Sequence, residues 1–417
     1  MGVGHRRFAS LGCTVIVEPV RVERDGDQVE RSALLRGGFG DHRLRVRGPV
    51  GTIDETDDAS SPAAAALVFA MRHEDGVRVE GPVDPLLLRN VEEIQGAYLA
   101  WDRQATPVQV VAAPTAGVVA RRSEARRPAA FFSRGVDSIY TAARDRAGHR
   151  ELDALVFVDG LEPRHDTAVR AEELRLAAET AARLELELVA VETSLRDLFD
   201  PAGFDWEDVV GGALASVAVA LAGRFDAVVI PSGDSYATVE PCGTSPLLDP
   251  LFSTSRVQVV HDSLVHSRLG KVGWLAEHRP DLIADIKVCF KENRPDNCGR
   301  CGKCLLTMAC LQVHGLLGRA PGFPDVIDPD DIRAFRLPTA KARADWVEVA
   351  AALGTSGADG RVRTAALDAL RTSALTGRDR VDQFGNPVWS GPFWLRNHRL
   401  NEVLSLVVDG EPYPPLP

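Results

Sequence analysis

The amino-acid sequence predicts an α/β fold, in which a parallel sheet is covered by helices on both faces. Between residues 108 and 231, strand-length apolar runs alternate with helical patterns. Most of the strand runs are largely apolar, which is typical of parallel strands that are buried on both faces. The chain has 417 residues, more than one hydrophobic core usually holds, so we expect further domains on either side of this sheet.

The elements of the predicted sheet follow one another as strand, helix, strand. In sheets of this kind ligands bind outside the carboxyl ends of the strands, so the loops that follow the strands are the first place to look for a site. The predicted strands are 108–113, 128–132, 152–158, 185–192 and 226–231, and the predicted helices are 137–148, 168–184 and 209–225.

Two further regions flank the predicted α/β domain, which spans residues 121–310. Residues 1–120 are predicted to form an N-terminal α+β module of unknown role, and residues 311–417 a mainly helical C-terminal extension. Within the N-terminal module the patterns predict strands at 13–23 and 41–50, a polar loop at 52–64, a hairpin at 67–81 and an amphipathic helix at 84–101.

Composition narrows the classes of function. A net charge of −11 and an aromatic content of 6% both disfavour a protein that wraps nucleic acid. The most apolar helical run, 209–223, is too short to cross a bilayer and predicts a buried core helix, so no membrane association is expected. The first ten residues lack the apolar core of a signal peptide, and we therefore expect a cytoplasmic protein.

The stretch SRGVDS at 133–138 follows a predicted strand and precedes a predicted helix. Backbone N–H groups at such a helix start attract anions, and the hydroxyls of Ser133 and Ser138 are additional donors. Asp137 is a candidate ligand for Mg²⁺ against phosphate oxygens. The stretch lacks the spacing of a Walker A loop. The alternative interpretation is that Asp137 only caps a helix after a tight turn.

Four of the seven cysteines follow the spacing C-x8-C-x2-C-x2-C. Cysteines two residues apart supply two thiolates from one tight turn, and four thiolates complete the tetrahedral shell of a structural Zn²⁺ ion. An iron–sulfur cluster is the alternative, because it also uses four thiolates. The predicted metal ligands are Cys289, Cys298, Cys301 and Cys304.

Together the two motifs resemble the 7-cyano-7-deazaguanine synthases of the N-type ATP pyrophosphatase (PP-loop) family. SRGVDS is similar to the family's SGGxDS loop, the cysteine spacing is similar, and SRLGKVGWL at 267–275 resembles its lysine-containing helix start. The resemblance spans about residues 128–310 and implies the adenine-nucleotide alpha-hydrolase (HUP) type of sheet.

The resemblance also implies an activity. Such an enzyme uses ATP to adenylate a carboxylate, releases pyrophosphate, and lets ammonia or an amine attack to give an amide or a nitrile, which makes it a carbon–nitrogen ligase. The implied cofactors are ATP, Mg²⁺ and Zn²⁺, and the implied partners are a small-molecule or peptide carboxylate and a nitrogen donor. The sequence leaves the oligomeric state open, with a homodimer as one alternative. Asp137 and Lys271 are the implied catalytic residues, and the implied nucleotide contacts are Ser133, Arg134, Gly135, Val136, Asp137 and Ser138. For Lys271, the alternative is an exposed lysine at a helix start.

The sequence departs from the family's pattern at two places. Arg134 stands where the family has its second loop glycine, and it is strained there if the position requires a positive φ. The segment VDGLEP at 158–163 lacks the family's tyrosine and glutamine, so another carboxylate in a specialised pathway is a serious alternative. Sulfur transfer or amine or peptide ligation through an adenylate, and a catalytically silent protein that binds nucleotide or nucleic acid, are the remaining hypotheses.

Overall fold

The computed structural model describes residues 13–102, 104–115, 127–146, 151–162, 166–240, 242–291, 293–335, 337, 339–357 and 360–372. These residues form a mixed α/β structure, which confirms the predicted fold class at that level. None of the helices in these ranges has both the length and the apolar character that a bilayer crossing requires.

The described elements alternate between strands and helices over most of the chain and are helical toward its end. Residues 13–115 contain β1 (Thr14–Val17), β2 (Arg21–Asp25), β3 (Gln28–Gly37), β4 (Gly40–Pro49), α1 (Ser60–His73), β5 (Gly76–Val83), α2 (Pro85–Trp101) and β6 (Gln109–Pro114). Residues 127–262 contain β7 (Pro128–Phe131), α3 (Val136–Arg146), β8 (Ala154–Asp159), α4 (Thr167–Arg183), β9 (Glu187–Thr193), α5 (Leu195–Phe199), α6 (Trp206–Ala220), β10 (Ala227–Pro231) and β11 (Gln258–Asp262). Residues 266–372 contain α7 (Arg268–His278), α8 (Gly302–Val313), α9 (Pro329–Ala334), α10 (Ala340–Leu353) and α11 (Gly360–Thr372), and 3₁₀ turns lie at Asp249–Phe252, Pro280–Asp285 and Leu317–Arg319.

The chain divides into two compact units. The first unit comprises residues 1–127, 191–228 and 242–260, and the second comprises residues 128–190, 229–241 and 261–417. The three predicted domains, with boundaries near residues 120 and 310, stay a prediction.

The first unit contains a mixed sheet. β3 pairs antiparallel with β1, β2 and β4, and β4 pairs antiparallel with the end of β9 at Glu192 and Thr193. β5 and β6 extend the sheet with parallel pairing next to β1. The strand predicted at 108–113 is therefore present as β6, but it pairs with β5 in this unit.

Helix α1 corrects two predictions for the N-terminal module. The segment 67–81 does not form a hairpin, because its first half belongs to α1 and only its second half is a strand, β5. The predicted loop at 52–64 likewise ends where α1 begins, at Ser60. The run from Ala63 to Met71 is buried on every side, so it shows no helical periodicity in the sequence.

Close packing of α1 against α6 explains the small residues of the apolar run at 209–223. A Cβ atom at Gly212 would lie 2.7 Å from Cγ2 of Val68, so a larger residue would push the helices apart. The hydroxyl of Ser216 also donates to the carbonyl of Ser61 at 2.7 Å. The prediction of a buried core helix is confirmed by the burial of α6 along nearly its whole length.

In the second unit, β7 lies between β10 and β8, in the order β11-β10-β7-β8-β9. β7 and β8 are parallel, with Phe131 opposite Val156, and every residue of β7 is buried. The helices α8 to α11 occupy the second half of this unit, and the part of the predicted extension beyond residue 372 lies outside the described residues.

In the first unit, a buried network of ion pairs lies at the C-terminal end of α1. Arg72 donates through Nε to Asp102 and through Nη2 to Oδ2 of Asp208 at 2.5 Å. Burial raises the pKa of Asp208 to about 7, although the charge of Arg72 opposes this change. Asp208, the second carboxylate that contacts Arg72, is therefore largely protonated below about pH 7.

The raised pKa predicts a pH dependence of stability. Because the pKa of Asp208 is about 7 in the folded chain and about 4 in an unfolded one, its contribution is fully present below pH 4 and is lost as pH rises through 7. We expect Asp208→Asn, which keeps an oxygen for Arg72, to flatten the fall in free energy of unfolding between pH 5 and pH 8, measured by urea titration. Asp25→Asn, at a side chain that is 85% exposed, is the control. An equal fall in the wild type and in Asp208→Asn would contradict the prediction.

Candidate functional site

The loop 132–135 connects β7 to α3 and is held by its own serines. The N–H of Ser133 donates to Oγ of Ser138 at 3.3 Å, and that hydroxyl donates to the carbonyl of Gly135 at 3.1 Å. The N–H of Gly135 in turn donates to Oγ of Ser133 at 3.4 Å. The two hydroxyls thus shape the turn, and the N–H groups in the first turn of α3 can donate to an anion.

Arg134 adopts the left-handed conformation, with φ of 61°. Few residues other than glycine take this conformation without strain. The condition under which the sequence predicts strain at Arg134, a positive φ, is therefore met. Its side chain is buried, and neither Nε nor Nη1 has a hydrogen-bond acceptor among the described residues. Burial lowers the pKa of Arg134, while the carboxylates of Asp285 and Glu173 oppose that change.

Asp137, in the first turn of α3, binds two cations from the start of α7. Its Oδ2 accepts from Nη2 of Arg268 at 2.6 Å, and its Oδ1 accepts from Nζ of Lys271 at 2.9 Å. Burial alone would raise the pKa of Asp137, but the charges of Arg268 and Lys271, with a smaller contribution from Lys341, lower it to about 2. Asp137 is therefore charged at every physiological pH.

Lys271 is fully buried, with 0% of its side chain exposed. Its ammonium group also donates to the carbonyl of Ser232 at 2.6 Å, directly after β10. The alternative of an exposed lysine at a helix start is thus wrong. Because β10 and β7 are neighbours, Lys271 links the end of β10 to the start of the helix that follows β7, and we expect a ligand at this edge of the sheet.

The sequence assigned no role to Arg268, and for Ser232 it predicted only that its loop, PSGDS at 231–235, lines the nucleotide or substrate pocket. Arg268 lies in SRLGKVGWL, the stretch that resembles the family's helix start, and Ser232 lies in the loop after a predicted strand. The missing information was the pairing with Asp137, which lies 131 residues before Arg268 and 134 before Lys271. A local pattern cannot show such a contact.

The four predicted metal ligands lie together. Their sulfur atoms are all within 4.8 Å of one another, with 3.8 Å between Cys298 and Cys304 and 4.0 Å between Cys301 and Cys289. Sulfurs that surround a Zn²⁺ ion at about 2.3 Å in a tetrahedron lie about 3.8 Å apart, so the group fits zinc. The hydrogen bond between Cys301 and Cys304 lowers the pKa of Cys301 to about 5 and raises the pKa of Cys304.

The backbone between the cysteines is shaped for this group. Gly299 has φ of 74°, and a Cβ atom there would lie 2.5 Å from Cγ of Pro324, so the first C-x2-C turn requires glycine. The side chain of Asn297 accepts from the N–H groups of Val288 and Cys289 and donates to the carbonyl of Ile286. The cysteine turn is therefore tied to the strand-like segment that precedes Cys289.

That segment also contacts the loop 132–135. The N–H of Lys287 donates to the carbonyl of Arg134 at 3.0 Å, and Nζ of Lys287 pairs with Glu173 on α4. Only one residue separates Lys287 from Cys289 in the chain. The cysteine group and the loop are thus linked through a short, buried and hydrogen-bonded segment.

No protein-family model, no curated protein and no solved structure matches this chain. The interpretation of the site therefore depends on its own geometry. That geometry offers a group of four thiolates fit for a metal, a helix N-terminus that can hold an anion, and a buried lysine beside it.

The metal group predicts a loss of zinc on substitution of one ligand. We expect the wild type to hold one Zn²⁺ per chain and Cys301→Ser to hold none, because three thiolates leave the shell open. Hydrogen exchange should also become faster at residues 132–138, since Lys287 connects the two sites. Zinc content and peptide-level exchange are the measurements, with Cys13→Ser, in the first unit, as the control. Full zinc content in Cys301→Ser would contradict the assignment.

The left-handed conformation at Arg134 predicts an order of stability between two variants. Arg134→Gly and Arg134→Ala both remove the guanidinium group, but only alanine retains the strain of a positive φ. We expect the glycine variant to be more stable than the alanine variant by about 1 kcal/mol in denaturant unfolding. Equal stability, or a more stable alanine variant, would show that the loop does not require this conformation.

Proposed function

We propose that the chain is an ATP-dependent ligase of the ATP pyrophosphatase (PP-loop) type, similar to the 7-cyano-7-deazaguanine synthases. The carboxylate oxygen of the substrate attacks the α-phosphorus of ATP, and the bond to the β-phosphate bridging oxygen breaks, which releases pyrophosphate and leaves an acyl-adenylate. Ammonia or an amine then attacks the acyl carbon and expels AMP to give an amide. The amide oxygen then attacks the α-phosphorus of a second ATP and releases pyrophosphate. AMP departs with that oxygen, and loss of the protons on nitrogen leaves a nitrile.

The observation that carries this proposal is the position of Lys271. A fully buried ammonium group lies at the ends of β7 and β10, beside Asp137 and the first turn of α3. Negative charge develops on pyrophosphate as it leaves, and fixed donors in a site sheltered from water stabilise that charge more strongly than water does. The N–H groups at the start of α3 and the cations of α7 are such donors.

The arrangement assigns a positioning role to Asp137. Both of its carboxylate oxygens accept hydrogen bonds from cations, so Asp137 holds Lys271 and Arg268 in place. Each oxygen keeps a second lone pair, but the two positive charges already beside this single carboxylate disfavour a further divalent cation there. The residues of the loop therefore do not fit the implied magnesium ligand, and we derive no step through that ion.

A catalytically silent nucleotide-binding protein is the second candidate, and the pairing of Asp137 with two cations favours it. Such a protein would bind ATP in the same place without releasing AMP. Sulfur transfer has less support, because it needs a reactive cysteine: the thiol of Cys242, in the first unit, donates to the carbonyl of Thr244 at 2.7 Å.

The products of ATP separate these functions. The protein is incubated with Mg²⁺-ATP, ammonium and 7-carboxy-7-deazaguanine, and with a panel of other carboxylates, while AMP, ADP, pyrophosphate and product mass are followed. We expect AMP and pyrophosphate in equal amounts and a product amide or nitrile. Binding of ATP without AMP, for every carboxylate, would reject the ligase in favour of the silent protein.

A matched pair of variants tests the role of Lys271. Lys271→Met keeps the apolar stem and removes the ammonium group, so we expect AMP formation to fall by about a hundredfold or more. Lys291→Met removes the same charge at an exposed position and should retain activity. Both variants are checked for thermal stability and zinc content. Equal activity of the two would remove Lys271 from the mechanism.

A further inference from the structure

Helix α10 brings a third cation to the site. Nζ of Lys341 lies 3.5 Å from Oδ1 of Asp234, in the loop that also contains Ser232. It lies 3.0 Å from Oδ2 of Asp345, one turn further along α10. α10 belongs to the region after residue 310, to which the sequence assigned no role.

The contact is part of a polar face of α10. Lys341, Asp345 and Glu348 are four and three residues apart, so they project from one side of the helix. Glu348 accepts a hydrogen bond at 2.8 Å from the hydroxyl of Ser267, the residue that caps the start of α7. This polar face therefore lies against the helix that carries Arg268 and Lys271.

Lys341 differs from the other two cations in its exposure. The side chain of Lys271 is 0% exposed and that of Arg268 is 10% exposed, whereas that of Lys341 is 24% exposed. Lys271 and Arg268 are also held by Asp137. Lys341 is thus the cation of the three that an incoming anion reaches most readily.

We propose that Lys341 of α10 binds the phosphate groups of the nucleotide, so that the C-terminal region completes the site. This inference depends on the proposed function, since it needs a phosphate ligand at the loop 132–135. When the anion binds, the ammonium group exchanges part of its contact with Asp234 or Asp345 for a phosphate oxygen. Lys271 and Arg268 remain with Asp137 and fix the geometry of the loop.

The inference is tested by binding of inorganic pyrophosphate, with Mg²⁺ at a fixed concentration, to the full chain by calorimetry. We expect Lys341→Met to weaken binding by about tenfold, the effect of one hydrogen bond to a charged group. Asp345→Asn releases Lys341 from a competing carboxylate and should tighten binding by roughly threefold. Lys341→Arg, which keeps the charge, should bind more tightly than Lys341→Met, and Lys291→Met is the control for loss of one positive charge.

The signs of the two effects distinguish a ligand from a structural contact. If Lys341 only held α10 in place, both Lys341→Met and Asp345→Asn would weaken binding, and that outcome would overturn the proposal. So would unchanged binding in Lys341→Met. If the wild type itself bound neither pyrophosphate nor ATP, the proposed function would fail first and the inference with it. Thermal stability and zinc content of each variant show that the second unit has folded.

Discussion

The burial of the Lys271 ammonium group is the constraint to which the surrounding structure conforms. A charge removed from water is costly unless it is paired and hydrogen-bonded, and burial indeed lowers the pKa of this lysine. Asp137 and the carbonyl of Ser232 supply the compensating contacts. Asp137 lies in the first turn of the helix that follows β7, and Ser232 directly follows β10. The adjacency of β7 and β10 in the sheet thus lets one buried ammonium group find both partners.

Such an ion pair adds little to stability, because the cost of desolvation offsets most of the attraction between the charges. An apolar cluster at the same place would hold β7, β10 and α7 together as well. Charged groups fixed away from water are useful for another reason: they need no reorganisation when a ligand of opposite charge arrives. The pair of Asp137 and Lys271 is therefore better explained by binding or catalysis than by folding.

The sequence predicted well what depends on neighbours along the chain. The run 128–132 is β7 and the run 168–184 is α4, each within a residue or two, because period and turn residues are local signals. The hairpin predicted at 67–81 was wrong, because α1 is buried on all sides there and has no polar face that would reveal a helical period. The cysteine group was predicted because the C-x2-C turns are local, with Cys289 as the only distant member. The contacts of Asp137 were not predictable in this way, since their partners lie more than a hundred residues away.

Helix α10 shows why the part of the site that lies far along the chain cannot be predicted from a local sequence pattern. Its apolar side chains, such as Trp346, Ala350 and Leu353, are buried, and at about 100° per residue they face away from Lys341. In the sequence, apolar residues on one side of the helix and charged residues on the other predict an ordinary surface helix with a solvated polar face. In the structure the polar face is covered as well, because Ser267 and Asp234 receive it. Covering a polar face is favourable only where each group finds a partner, so these contacts specify the register of α10 together with its apolar face. A helix held in register by charges at the edge of the sheet is also placed to present one of those charges to a ligand.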